Sequence, residues 1–248
     1  MAETHAPTQT PPAALDLSEK GGARGGEPQR LNRRLFMQLQ AFTGCLHPEV
    51  LVQALASSGI EGVLYEDVND ARGVALLAMA EDPEVFTAKV RPILNKGPFA
   101  ALTPKPEFSL LGRTYSLGYE PNLEDWLLTR PRRMALSPKA NWAVWYPLRR
   151  TGAFAQLSRE EQGQILKEHG VIGRQFGDAG LAQDIRLACH GLDKNDNDFV
   201  IGLLGESLFP LSALVQTMRP TQQTSKYIQA MGPFFVGRVA WRSAAPAA

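Results

Sequence analysis

The hydrophobic and polar positions of residues 31–120 fall into a succession of strand and helix patterns. "RLFMQLQAFTG" alternates apolar and polar side chains at the period of a strand, whereas "HPEVLVQALASSG" spaces its aliphatic residues for one helix face and stops at a glycine. "EGVLYE" and "RGVALLAMA" predict two strands flanking the turn-rich "DVNDA". "EDPEVFTAKVRPILNKG" predicts a helix opened by acid and proline, and "FSLLGRTYSLGYE" a further strand. The same order returns from residue 142. "WAVWYPLRR" predicts a strand, residues 158–176 a helix, and "DIRLACH" and "DFVIGLLG" two strands around "GLDKNDN". "PLSALVQTMR" follows as a helix with Leu211, Leu214, Val215 and Met218 on one face, and "GPFFVGRVAW" as a last strand.

A repeated strand, helix, strand, strand, helix, strand order predicts an α+β fold built of two ferredoxin-like halves, residues 31–120 and 142–248, joined by a connector over 121–141. Each half leaves one sheet face apolar. Burying the two faces against each other gives a sandwich or a closed barrel. Residues 1–30 hold four prolines and four glycines with little aliphatic clustering, so a disordered N-terminal tail is expected there.

Charge narrows the partners. With 26 Lys plus Arg against 25 Asp plus Glu, the chain carries no concentrated basic field for nucleic acid or an anionic membrane surface. No apolar run approaches the roughly 20 residues of a membrane span, and the N-terminus lacks the apolar core of a signal peptide, so a cytoplasmic location is expected. Two cysteines, Cys45 and Cys189, are too few for a thiolate metal site and read as small buried hydrophobes.

The candidate chemistry sits in "SREEQGQILKEHGVIGRQF". Ser158 and Glu161 have capping-box spacing, after which Ile165, His169, Ile172 and Phe176 form one stripe, with a histidine among aliphatic side chains. Gly163, Gly170 and Gly173 accompany it at a cost in helix stability. Two readings fit. In one, small residues let a planar macrocycle approach while the imidazole supplies an axial bond to iron. In the other, His169 is a buried histidine hydrogen-bonded to a carbonyl, and the glycines serve helix packing. His5 falls in the tail and His47 at a helix start, which leaves His190 as the rival, and no histidine pair has zinc-like spacing.

The succession "WYPLRR", "LSREEQGQILKEHGVIGR", "HGLDKNDNDFVIGL", "LVQTMR", "SKYI" and "GPFFVG" resembles the chlorite dismutase superfamily over about residues 32–242. The resemblance implies a dimeric α+β barrel of two ferredoxin-like halves, assembled as a pentamer or hexamer. It implies a haem cofactor, haem b or coprohaem, with His169 as the proximal iron ligand and hydrogen peroxide or a small oxyanion as the reacting partner. Tyr146 matches the radical-forming tyrosine of the coprohaem decarboxylase branch, and Arg150 stands where that branch has a propionate-binding lysine.

Alternation along the strand puts Tyr146, Leu148 and Arg150 on one face, so phenol and guanidinium can share a pocket. Asp184 stands where chlorite dismutases have an arginine and the decarboxylases a glutamine. Gln183 is beside it, and Arg186 is two positions on. An Asp and Arg pair suits peroxide heterolysis, the carboxylate moving a proton and the guanidinium stabilising the departing charge. A surface ion pair is the other reading. Thr224 falls where the family places an acid against the proximal histidine. "LDKNDND" lacks the glycine and glutamate of a calcium loop and reads as a solvated turn.

These residues imply a haem-dependent oxidoreductase, with coprohaem decarboxylation and non-enzymatic haem binding as the alternatives.

Overall fold

The structure, a computed structural model, describes residues 15–244. Its strands are β1 (Glu19–Arg24), β2 (Glu27–Leu31), β3 (Phe36–Thr43), β4 (Gly62–Asp67), β5 (Val74–Ala80), β6 (Thr103–Arg113), β7 (Trp142–Arg150), β8 (Gln183–Ala188), β9 (Phe199–Gly205), β10 (Ile228–Met231) and β11 (Phe235–Arg242). The helices are α1 (Pro48–Ala56), α2 (Arg91–Leu94), α3 (Arg130–Ala135), α4 (Gly152–Gln156), α5 (Arg159–Asp178) and α6 (Leu208–Met218).

β3 to β11 make one nine-stranded sheet in the order β10-β7-β11-β4-β5-β3-β6-β8-β9, and β9 pairs back to β7, so all but β10 form a closed antiparallel ring. Residues 36–113 contribute the run β4-β5-β3-β6 and residues 142–242 the run β8-β9-β7-β11. Among the main ring strands of each stretch, the second, third, first and fourth therefore lie side by side in both. The weakest link is between β6 and β8, which meet only at Arg113↔Ala188.

Closure explains the hydrophobic pattern. Strands covered on both faces need apolar residues on both, and β5 is buried at every position. One face, with Met37, Leu39, Tyr65, Leu77, Trp145, Ile185, Leu187 and Phe235, fills the ring's interior. The other is covered by helices: α1 and α2 lie over Leu64 and Leu76, and α6 brings Leu211 and Leu214 against Val144, Tyr146 and Leu203. Gly202 is required where the Trp145 indole crosses β9, since a Cβ there would stand 2.4 Å from the ring.

Three expectations change. Residues 19–31 form the hairpin β1–β2 instead of the disorder expected over 1–30, while residues 1–14 lie outside the described region. The hairpin is held by contacts distant in sequence: Gln29 donates from Nε2 to the Glu120 carbonyl at 3.0 Å, and Arg113 donates to Glu19 at 2.8 Å. The helix expected over 81–97 is divided into a π-helical turn, Phe86–Val90, and the short α2. The connector contains a helix of the same design, a π turn Asp125–Thr129 leading into α3. Each π turn comes immediately before an Arg-Pro step, Arg91-Pro92 or Arg130-Pro131, where proline supplies no N–H for regular α bonding.

Candidate functional site

The site lies between α5 and the outer face of β7, β8 and β9. α5 starts at a complete capping box: Ser158 Oγ accepts from Glu161 N at 3.2 Å, and Glu161 Oε2 accepts from Ser158 N at 2.9 Å. Its 20 residues place Ile165, His169, Ile172 and Phe176 toward the sheet. Ile165 is buried, whereas His169, Ile172 and Phe176 are only half-buried. α6 packs on the same layer through the buried Leu211 and Leu214.

His169 is held from behind. Its Nδ1 lies 3.0 Å from the hydroxyl of Thr221, at the end of α6, and that hydroxyl donates to the Met218 carbonyl at 2.7 Å. A hydroxyl has one proton, and a carbonyl can only accept. With the proton directed to Met218, Thr221 Oγ1 accepts from His169 Nδ1–H, and the lone pair of the imidazole is on Nε2. Nε2 makes no hydrogen bond among the described residues. Burial lowers the imidazole to about 4, outweighing the nearby Glu168, and the positive charges of Arg150 and Arg186 add to the effect. His169 is therefore neutral at physiological pH. Glu168 fastens the same segment by accepting from Gln222 N at 2.9 Å.

Thr221, and not Thr224, is the histidine's partner. Thr224 stands behind it, 3.3 Å from the Thr221 hydroxyl. A π-helical segment, Gln223–Tyr227, follows Thr221 and contains Thr224.

The glycines of α5 do not share one role. Gly163 and Gly170 point away from the apolar stripe, and an added Cβ at either would meet nothing within 4 Å. Gly173 flanks the stripe, with Met218 Cε 3.8 Å from a Cβ there, and a Cβ at Gly177 in the last turn would meet Gln183 Nε2 at 3.8 Å. At 100° per residue, positions 163 and 170 fall on the side opposite 165, 169, 172 and 176, so close approach of a ligand does not explain them.

Across from α5, Tyr146 is buried and stacks on Phe234 with ring centroids 4.6 Å apart. Burial, and after it Asp184, pushes its phenol well above the usual range. Arg150 lies over the rings of Phe154 and Phe199 at 4.3 and 4.6 Å. Its buried Nε has no hydrogen-bond partner, and desolvation lowers its pKa.

Asp184 and Arg186 pair at 2.9 Å, Oδ2 to Nε. Arg130 of α3 joins them, donating to the Asp184 carbonyl at 3.1 Å and lying 3.5 Å from Oδ1. Trp126 lies beneath both guanidiniums, at 4.6 Å from Arg130 and 5.3 Å from Arg186. Gln183 is set apart from this group: it donates from Nε2 to the Gly177 carbonyl at the end of α5, at 3.2 Å. His190 is exposed, with Nδ1 3.6 Å from Asp198. Cys45 and Cys189 are free and buried, and burial pushes the Cys189 thiol up to about 12.

Sequence pattern did not point to Thr221, Arg130 or Trp126. The last two come from the connector, whose "EDWLLTRPRRMA" carried a usable signal: apolar Leu127 and Leu128 between Trp126 and three arginines. Among the described residues no helix is long and apolar enough to cross a membrane.

The family model for chlorite dismutase matches residues 93–240. Among solved structures, a haem-binding protein from Thermus thermophilus is similar at 19% identity and a TM-score of 0.66, covering 84% of this chain and 91% of that one. A chlorite dismutase from Candidatus Nitrospira defluvii, solved in complex with imidazole, is similar at 15% identity and a TM-score of 0.65, covering 85% of this chain and 93% of that one. At such identities the structures share a fold. The family match covers more than half of the chain's 248 residues and lies within that fold, and on it the chain belongs to the chlorite dismutase family.

Proposed function

We propose that this chain is a haem-dependent oxidoreductase in which His169 binds the iron through Nε2 and peroxide or a small oxyanion is the reacting partner. The observation that carries the reading is the hydrogen bond from His169 Nδ1 to a threonine whose own proton is committed elsewhere. It fixes a neutral ring with a free Nε2 lone pair, the form a metal requires. The half-buried Ile172 and Phe176, in the same apolar cluster as Tyr146, suit a flat apolar group, and the unpartnered Nε of Arg150 suits a propionate carboxylate. Bound there, haem supplies the redox chemistry.

The chain's own residues supply the rest. Thr221 orients the imidazole and, being neutral, leaves it less anionic than a carboxylate partner does. Arg150 anchors a carboxylate. Asp184 moves a proton at the reacting oxygen, and Arg186 stabilises the negative charge that leaves. Gln183 holds the end of α5, and through it the histidine helix, so its support of the cofactor is indirect.

A second reading is coprohaem decarboxylation. Tyr146 and Arg150 share one face of β7, and burial keeps the phenol protonated. In this reading Tyr146 would first give up its phenolic hydrogen to the oxidising equivalents that peroxide supplies and then take one from a propionate, and Arg150 would anchor a neighbouring one. Non-enzymatic haem binding is the remaining alternative. The two strand runs are read as ferredoxin-like repeats, and a cytoplasmic homo-oligomer, pentameric or hexameric, is the assembly proposed.

The test adds haem and coprohaem separately to the wild type and to His169→Ala, recording spectra and then products after peroxide. A Soret band and an oxidised product in the wild type alone support the first reading. Loss of carboxyl mass from coprohaem supports the second, and a bound but inert cofactor supports the third. A colourless wild type overturns all three.

A further inference from the structure

We propose that Arg130 and Arg186 form a binding slot for one small monovalent anion at the seam between β6 and β8. The seam exists because these strands share a single paired position, Arg113↔Ala188, and the connector helix covers the remaining gap. A cleft opens there between Thr114, Tyr115, Trp126, Arg130 and Arg186. Its volume of about 10 Å³ suits one water-sized group or a small ion.

Asp184 contacts both guanidiniums, at 2.9 Å from Arg186 and 3.5 Å from Arg130, with Asp125 acting on Arg130 and Glu120 on Arg186 at longer range. Arg186 uses Nε on this pair, and its two terminal nitrogens make no hydrogen bond to protein among the described residues. Arg130 is fixed by its bond to the Asp184 carbonyl. The Trp126 indole, itself held by donation from Nε1 to the Tyr115 carbonyl at 3.0 Å, supports both planes. Tyr115 lines the cleft, and burial raises its phenol while the charges of Arg186 and Arg150 oppose the rise.

Two held guanidiniums with free N–H groups recognise a halide, formate or hydroperoxide anion. The slot is built from protein groups alone. Its link to a reacting oxyanion rests on the oxidoreductase reading above, and its existence does not.

The experiment titrates sodium formate into the protein with no haem added, with sodium gluconate holding the ionic strength constant, and follows tryptophan emission. The expected result is a saturable change in the wild type that is absent in Trp126→Phe. The apparent affinity should be about tenfold weaker in Arg186→Gln and Arg130→Gln, the worth of one charge-assisted hydrogen bond. Arg238→Gln, which removes a cation above Trp142 outside the cleft, should match the wild type. If circular dichroism shows that the glutamine variants do not fold, Arg186→Lys is read in their place and should also bind more weakly. A linear, non-saturating response in the wild type, or equal affinity in the wild type and the folded Arg186 variant, overturns the slot. Because haem is never added, failure to bind haem leaves this result standing.

Discussion

His169 Nδ1 and Thr221 Oγ1 lie 3.0 Å apart, and the threonine's proton is directed to the Met218 carbonyl. One hydroxyl thus fixes the imidazole tautomer and ties α5 to the end of α6. Thr221→Val removes the acceptor while nearly keeping the shape. Haem affinity, read by absorbance titration, should fall about 10- to 100-fold, and Thr221→Ser should restore most of it. Equal affinity in the valine variant contradicts a role for this bond in ligation.

Burial also ties His169 to pH. Its folded-state pKa of about 4 lies below the 6.5 of an open imidazole. Between those values the unfolded chain binds a proton that the folded chain refuses, so stability rises with pH across the window. The contribution is complete above about pH 6.5 and is lost as pH falls toward about 4. Denaturant unfolding of the wild type and His169→Asn, measured from about pH 7 downward, should show the wild type losing stability relative to the variant. A difference that stays constant with pH contradicts the assignment.

The capping box sets where α5 begins. Ser158→Ala leaves the N–H of Glu161 without its acceptor and should cost about 1 kcal/mol in urea unfolding. An unchanged midpoint contradicts a stabilising role for the cap.

Two glycines give opposite expectations. Gly202→Ala drives a methyl into the Trp145 ring and should cost at least about 1–3 kcal/mol. Gly170→Ala meets open space on a helix and should stabilise by up to about 1 kcal/mol, with haem affinity unchanged. Loss of haem binding in Gly170→Ala would restore a role for that glycine in admitting a ligand.

Local pattern was enough where the physics is local. β7 occupies the nine residues of "WAVWYPLRR", and the capping box placed the start of α5. The repeated element order anticipated matching strand runs in the two stretches. What was illegible depends on contacts distant in sequence. The β1–β2 hairpin has a polar, glycine-rich sequence and is held by Glu120, Arg113 and Ser116, roughly ninety residues away along the chain. The choice of Thr221 over Thr224 depends on where the end of α6 meets α5, and Arg130 reaches Asp184 across 54 positions of the chain. Within the α5 stripe, read in sequence as a histidine among aliphatic side chains, the half-burial of His169, Ile172 and Phe176 shows only against the sheet opposite.

The most direct test of the account is the iron–imidazole vibration of the haem-loaded, reduced protein, measured by resonance Raman spectroscopy. The account predicts a band that shifts with ¹⁵N-labelled histidine, disappears in His169→Ala and returns there when free imidazole is added. An unaltered band in His169→Ala would place the iron on another residue and contradict it.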